Sequence, residues 1–333
     1  MADARRWVAA DFGVSAVHIE EVTGGTDTSA AVWRLVDGDG TAWAAKWTTR
    51  STGTGTRLVA SMAAAGLEST PAARPTDDGR RRSRRGGGKL AVTRWSDGVD
   101  AATVGLDLPG WREYGALLAG VHAHEFPAPA RKQGARRGIR RRRRRYRAEI
   151  AALDVAVASG AGGPLDLWRD ARPRVELLLR GTMLVPGASA DPVPCHGDAH
   201  LGNVLVDGDG ALRLVDWDEA VVGPRELDLH LVEFPVLFTP TTAEQLAAFR
   251  SGYGPVVVDE HRMVRFACIR ALEDLTSTMT AACGGDDAER AEALRVFTGI
   301  LTPTGSASLV EGRLVAALGE TGTRRDRPLT TPT

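Results

Sequence analysis

The chain has 333 residues, 43% of them hydrophobic and 25% charged, with 42 basic and 42 acidic side chains and no formal net charge. That length supports one large domain or two modest ones with real cores, and the charge balance excludes a global field drawing the protein to nucleic acid or membrane. Three sparse cysteines, Cys195, Cys268 and Cys283, argue against a disulfide framework and structural zinc. With no apolar signal segment at the start and no run near the roughly 20 residues of a membrane span, a cytoplasmic location is expected.

In chain order, residues 17–22 read as a strand ending in Thr23-Gly24-Gly25, residues 31–36 resume it, and Asp37-Gly38-Asp39-Gly40 turns the chain into a third run, Trp43 to Trp47. Strands separated by Gly-rich turns predict an antiparallel meander. Residues 57–66 favour a helix by propensity with Gly66 as its stop. Residues 70–88, rich in Pro, Gly and Arg, read as a loop, and 89–95 as another strand. Ser96-Asp97-Gly98 breaks the pattern and marks a hinge. Helices dominate from about 107: Asp107 and Pro109 signal a start, and Trp111, Tyr114, Leu118 and Val121 share one face. Thr241 with Glu244 reads as a capping box, and 259–282 as a longer amphipathic helix. The Arg-rich stretches 80–85 and 131–147 read as solvated loop, the second leading into a helix near Tyr146.

The chemistry concentrates in His196-Gly197-Asp198-Ala199-His200-Leu201-Gly202-Asn203, followed by the hairpin around Asp207-Gly208-Asp209-Gly210 and by Asp216-Trp217-Asp218. An Asp, an Asn five residues later and an Asp at the end of a hairpin suit phosphoryl transfer, where catalysis is positioning and charge stabilisation. One carboxylate must meet the acceptor hydroxyl, and hard oxygen ligands must hold magnesium. His196 reads as support for the loop backbone, His200 as a loop residue, and Asp218 as a supporting anion or cap. The two DGDG segments lack the glutamate of a calcium loop and read as hairpin turns.

These residues resemble the aminoglycoside phosphotransferase and choline-kinase-like family, distant relatives of the protein kinases. The match is HGDxHxxN at 196–203, the DWD at 216–218 and Gly223-Pro224-Arg225-Glu226-Leu227-Asp228. The resemblance implies an α+β, bilobal, protein-kinase-like fold. Residues 1–96 would be an N-lobe with a small antiparallel sheet and one helix, and 97–333 a mainly helical C-lobe carrying the catalytic loop and acceptor pocket. It implies ATP as co-substrate, Asp198 as catalytic base, and Asn203 and Asp216 as Mg2+ ligands. Lys46 would meet the α- and β-phosphates, and Gly24, Gly25, Thr26, Thr28 and Ser29 would cover them, although they do not form GxGxxG. Trp95 would lie in the adenine hinge. The family pairs its lysine with a Glu on the following helix, yet 51–67 contain no acid, and Glu68 follows the helix stop.

Within the family, Gly-Gly-Thr-Asp-Thr-Ser at 24–29, Ser-Gly-Tyr-Gly at 251–254 and Arg-Ala-Leu-Glu-Asp-Leu at 270–275 resemble the spectinomycin (aminocyclitol) phosphotransferases. That branch implies an antibiotic-resistance function. A cationic aminocyclitol or aminoglycoside needs carboxylates, and Asp228, Glu233, Glu273 and Asp274 are the candidates, with an Arg270 ion pair as the plainer account of the last two. The alternatives are a kinase of choline, homoserine or a sugar, and a non-catalytic RNA-binding protein on a kinase-like scaffold. Aromatics at only 5% disfavour the cage a choline needs. The Arg runs lack the interleaved aromatics of a nucleic-acid platform, so neither a nucleic-acid nor a membrane partner is expected.

Overall fold

Apolar residues at every second position build an antiparallel sheet early in the chain. The computed structural model describes residues 2–22, 30–50, 52–67, 70–126, 134–159, 164–187, 189–236, 239–284 and 286–325, without the side chains of 134–143 and 320–325. The chain forms two compact units. The first gathers Met1–Pro127, Pro192–Val222 and Ala247–Gly254; the second gathers Ala128–Asp191, Gly223–Leu246 and Pro255–Thr333.

In the first unit, helix α1 (Ala2–Phe12) precedes strands β1 (Ala16–Glu21), β2 (Ala30–Asp37) and β3 (Ala42–Thr48). Helix α2 (Gly53–Ala64) follows, then β4 (Ala73–Arg74), β5 (Ser83–Arg85) and β6 (Gly88–Arg94). The sheet runs in the order β1-β2-β3-β6-β4, with β5 also paired to β6. Trp33, Leu35, Ala45, Leu90 and Val92 point to one face, where Ala4, Val8 and Phe12 of α1 cover them. Because side chains alternate across a strand, Lys46, next to Ala45 and paired with Val32 and Ala91, points to the opposite face. That register decides where the lysine acts.

Two features of this unit depart from the sequence expectation. The N-terminal residues form α1, whose buried residues are spaced by four. The stretch read as loop contains β5, joined to β6 through Gly86 and Gly87 at φ 54° and 80°. Left-handed conformation at both loop positions is the two-residue hairpin turn that only such residues accept readily. Arg85 then pairs with Asp11 of α1, and this hydrogen bond holds the Asp11 carboxyl below its ordinary value. Helix α2 ends as anticipated at Gly66 (φ 79°), with the Leu67 N–H on Met62 O and the Gly66 N–H on Ala63 O, the Schellman pattern.

The unit continues through β7 (Val99–Asp100), α3 (Ala101–Val104) and α4 (Leu108–Ala123). Asp107 caps α4 by accepting from the Gly110 N–H at 2.8 Å, and Trp111, Tyr114, Leu118 and Val121 are all buried. Beyond residue 191 come β8 (Val193–Cys195), β9 (Val204–Val206), β10 (Leu212–Leu214) and β11 (Val221–Gly223). Strand β9 lies between β10 and β7, and β8 pairs with β11. Asp37 and Asp207 build matching turns: each carboxylate accepts the N–H two residues on at 3.1 Å and four residues on at 2.9 Å. The DGDG segments are therefore hairpin turns, each made by an Asp that caps its own loop.

The second unit is helical: α5 (Gly134–Ala158), α6 (Pro164–Gly181), α7 (Glu226–Glu233), the start of α8 (Ala243–Tyr253), α9 (Glu260–Gly284), α10 (Asp287–Leu301) and α11 (Ser306–Arg325). Helix α9 is its centre, with Met263, Val264, Ala267, Cys268, Leu272 and Leu275 buried among the others. Residues 134–145 are helical rather than loop, because arginine is itself a good helix former. The capping box lies one residue later than expected: the Thr242 N–H donates to Gln245 Oε1 at 2.9 Å and the Gln245 N–H to Thr242 Oγ1 at 3.2 Å, while the Thr241 hydroxyl donates to Val232 O.

Arg174 clamps α6 to the turn after α10 and to α11 through Leu301 O, Ser308 and both oxygens of Glu311. Glu226 and Arg262, with side chains only 2% and 7% exposed, form an ion pair at 2.8 Å. Removing Glu226 leaves the buried Arg262 charge less well compensated, so Glu226→Ala should cost about 3–5 kcal/mol. Denaturant unfolding would show it as a lower midpoint; an unchanged midpoint would mean that Arg262 finds water instead. No helix among the described residues is long and apolar enough to cross a membrane.

Candidate active site

The catalytic segment leaves β8 at Cys195 and is held by its own backbone. His196 has no exposed surface. Its Nδ1 accepts from the Asp198 N–H at 3.3 Å, which leaves Nε2–H to donate to Val215 O at 2.8 Å. Its ring meets Trp217 edge-on at 4.5 Å. One imidazole thus ties the Asp198 loop to the strand end before Asp216, the structural role expected of it. Gly197 makes the turn at φ 85°, and a Cβ there would collide with the Glu219 carbonyl. Gly197→Ala should therefore lower the thermal midpoint by about 5 °C, from the left-handed penalty plus the clash. Calorimetry would test this, with an unchanged midpoint as the contrary result.

Asn203 positions Asp198 directly. Its Nδ2 donates to the Asp198 carbonyl at 2.8 Å and reaches the Asp198 carboxylate at 3.4 Å. His200 accepts the Gly202 N–H on Nδ1 and turns Nε2 toward the same carboxylate at 3.6 Å. The buried Tyr114 hydroxyl donates to Ala199 O, anchoring the loop on α4. The Asn203 carbonyl accepts from the Val215 N–H at 3.0 Å, so the amino-acid pair Asn203 and Asp216 is linked through one backbone bond.

Asp216 sits at φ 60°, ψ 67°, the sole non-glycine with positive φ among the described residues. A left-handed Asp is tolerated because its short polar side chain serves the local backbone, and such strain marks functional positions. The chain then makes a single 3-10 turn, Trp217–Glu219. Lys46 Nζ lies 2.7 Å from Asp216 Oδ1 and 3.0 Å from Asp218 Oδ2. Burial opposes the charge on Lys46, but the two carboxylates more than offset it and hold its pKa above the ordinary lysine value. Burial, with the like charge of Asp216, pushes Asp218 up against the opposing pull of Lys46.

The donor set fits a hard divalent cation. The Asn203 amide spends its N–H groups on the loop, which leaves its oxygen for a ligand, and the Asp216 side chain is 48% exposed. An amide oxygen and an open carboxylate are the ligand types such ions take. Asp198, Asn203, Asp216 and Lys46 are thus brought into one unit of the fold. Gly24, Gly25, Thr26, Thr28 and Ser29 lie outside the described residues. Trp95 and Arg94 give their backbone N–H groups to Ala42 O and Ala72 O, and the Trp95 indole donates to Asp97 at 3.0 Å.

The four acidic candidates lie in the other unit, each on α7 or α9. Asp228 has no exposed surface. Glu233 pairs with Arg313, Glu273 with Arg145 of α5 at 3.1 Å, and Asp274 with Arg270 at 3.0 Å. The helical Arg270 pair expected from spacing is present for Asp274, whereas Glu273 reaches across to α5. The contact that sequence reading missed is Asp218 with Lys46. Its one available signal was a second acid two residues after Asp216 in a chain whose lysine has no acid on the following helix.

Among curated protein sequences none matches this chain. A spectinomycin phosphotransferase, solved with ADP and spectinomycin, shares the fold at TM-score 0.76 and 17% identity over 94% of this chain and 98% of that one. An amicoumacin kinase, solved with AMP-PNP, Ca2+ and Ami, aligns at TM-score 0.59 and 15% identity over 90% and 93% of the two chains. An aminoglycoside phosphotransferase from Alicyclobacillus acidocaldarius aligns at 0.53 and 16% over 91% and 92%. These likenesses establish a kinase-like α+β fold. The model of the phosphotransferase enzyme family matches residues 24–267, most of the chain, including Lys46, Asp198, Asn203, Asp216 and Asp218, and the protein belongs to that family.

Proposed function

We propose that the protein transfers the γ-phosphoryl group of ATP to a hydroxyl of an aminocyclitol antibiotic, spectinomycin, and so confers resistance to it. The observation that carries this reading is the meeting of Lys46 with Asp216 and Asp218, joined by one backbone bond to an Asn203 that holds Asp198. In this reading the nucleotide-binding part is 1–96 and the acceptor part 97–333. Asp198 orients the acceptor hydroxyl and takes its proton as the new O–P bond forms and ADP leaves with the bridging oxygen. Asn203 and Asp216 hold the divalent ion, Mg2+, which when bound neutralises charge on the phosphates. Lys46 meets the α- and β-phosphates. Since Arg94 and Trp95 have spent their N–H groups, the base meets the next one, that of Ser96, beside Trp95.

For the acceptor, Glu233, Glu273 and Asp274 each retain some exposure and already hold a guanidinium. A substrate ammonium would exchange for that arginine through the same charge-assisted hydrogen bonds. Asp228, fully buried, would support α7 from within. The likeness to the spectinomycin phosphotransferase supports this choice of acceptor.

The test is ADP release by purified protein with Mg-ATP against spectinomycin, streptomycin, kanamycin, choline and homoserine. Release with spectinomycin alone is the expected result. Release with choline or homoserine alone would replace the acceptor, and silence across the panel would remove the antibiotic reading.

A further inference from the structure

The lysine of this site has no acid on the helix that follows it. Helix α2 carries neither Asp nor Glu, and between Lys46 and Asp77 the chain has a single carboxylate, Glu68, outside the described residues. A lysine that grips phosphates needs a fixed counter-ion, because its flexible four-carbon stem otherwise samples many poses. Among the described residues two carboxylates touch Lys46, and they are not equivalent. The Asp216 side chain is 48% exposed; the Asp218 side chain is 14% exposed. The open one suits an ion that arrives with the nucleotide, and the enclosed one suits a permanent partner.

The turn that carries Asp218 is held through both of its neighbours, Trp217 and Glu219. The Trp217 indole donates to Leu214 O at 2.9 Å, and Glu219 pairs with Arg50 just beyond β3. Gly55 of α2 lies against the Trp217 carbonyl and Gly197 against the Glu219 carbonyl, each so close that a Cβ would collide. These contacts prevent Asp218 from following a displaced lysine.

We propose that Asp218 is the positioning residue of Lys46, doing from the 3-10 turn what a helix acid would do from α2. Asp218, the enclosed carboxylate of the two, keeps Lys46 aimed at the α- and β-phosphates whether or not a divalent ion would draw on Asp216. This inference rests on the nucleotide site proposed above. It separates Asp218 from a second metal ligand, whose effect would require the ion.

The test is a double-mutant cycle on metal-free ADP binding, measured by calorimetry in EDTA with wild type, Asp218→Asn, Lys46→Met and the double variant. Asp218→Asn should weaken ADP about tenfold, Lys46→Met by as much or more, and the double variant no more than the worse single, since residues acting as a pair are non-additive. Unchanged metal-free binding in Asp218→Asn overturns the proposal, as does a double variant whose losses multiply. Asp218→Glu restores the charge and should recover most of the affinity; no recovery over Asp218→Asn also overturns it. If the Asn variant does not fold by thermal unfolding, the Glu variant carries the comparison, with binding no better than Lys46→Met as the contrary result. Wild type that binds no ADP overturns the nucleotide site and this assignment with it.

Discussion

Asp198→Ala is expected to lower kcat by about 10²–10⁴-fold, the usual contribution of a positioned acid–base group, while the Kd for ADP stays within about twofold of wild type. The separation follows from geometry. Asp198 is held by Asn203 through its carbonyl and by His196 through its N–H, so the loop's backbone course does not depend on its carboxylate. Removing that carboxylate takes away what the proposed mechanism uses as proton acceptor and leaves Lys46, Asp216 and Asp218 in place. Steady-state rates alongside calorimetric ADP binding check it. Lost nucleotide binding with an intact fold would show that Asp198 belongs to the nucleotide site rather than to the acceptor.

Asp216→Asn and Asp216→Ala should both reduce turnover by about 10³-fold, on the scale of removing a phosphate-clamping charge, yet they should differ in stability. Asn is at home in the left-handed region; Ala is not, and placing it at φ 60° costs roughly 1–2 kcal/mol. Asp216→Ala should therefore melt a few degrees below Asp216→Asn. Equal melting temperatures would mean that the turn relaxes to another conformation when the side chain is lost. In either variant the Mg2+ concentration for half-maximal rate should rise, which distinguishes a lost ligand from a lost base.

The catalytic hairpin was legible because its signals are local. Asp207 and Gly210 close their turn within five residues, and Asp107 caps α4 three residues ahead of its donor. The motif from His196 to Asp218 carries its chemistry in residue types whose order is visible in the chain. The two missed elements had local signals too. Helix α1 shows its apolar stripe at Ala4, Val8 and Phe12, and β5 is announced by the Gly-Gly pair at 86–87 rather than by its polar residues. Reading Arg-rich segments as solvated loop was the error, since arginine neither prevents a helix at 134–145 nor an edge strand at 83–85.

What the sequence by itself determined was the reaction type, the expectation of Asp198 as base and of Asn203 and Asp216 as ligands, and the main strands of the early sheet with the helices that follow. These depend on residue identity, turn chemistry and periodicity, all of which act over a few positions. The tertiary structure alone decided which acids lie against Lys46, because Asp216 and Asp218 lie 170 and 172 positions from it and meet it only once β3 has its register. It also decided that Glu233, Glu273 and Asp274 each hold an arginine and that Asp228 is enclosed. Ion-pair partners are chosen by packing, and packing joins residues by proximity in space rather than in the chain.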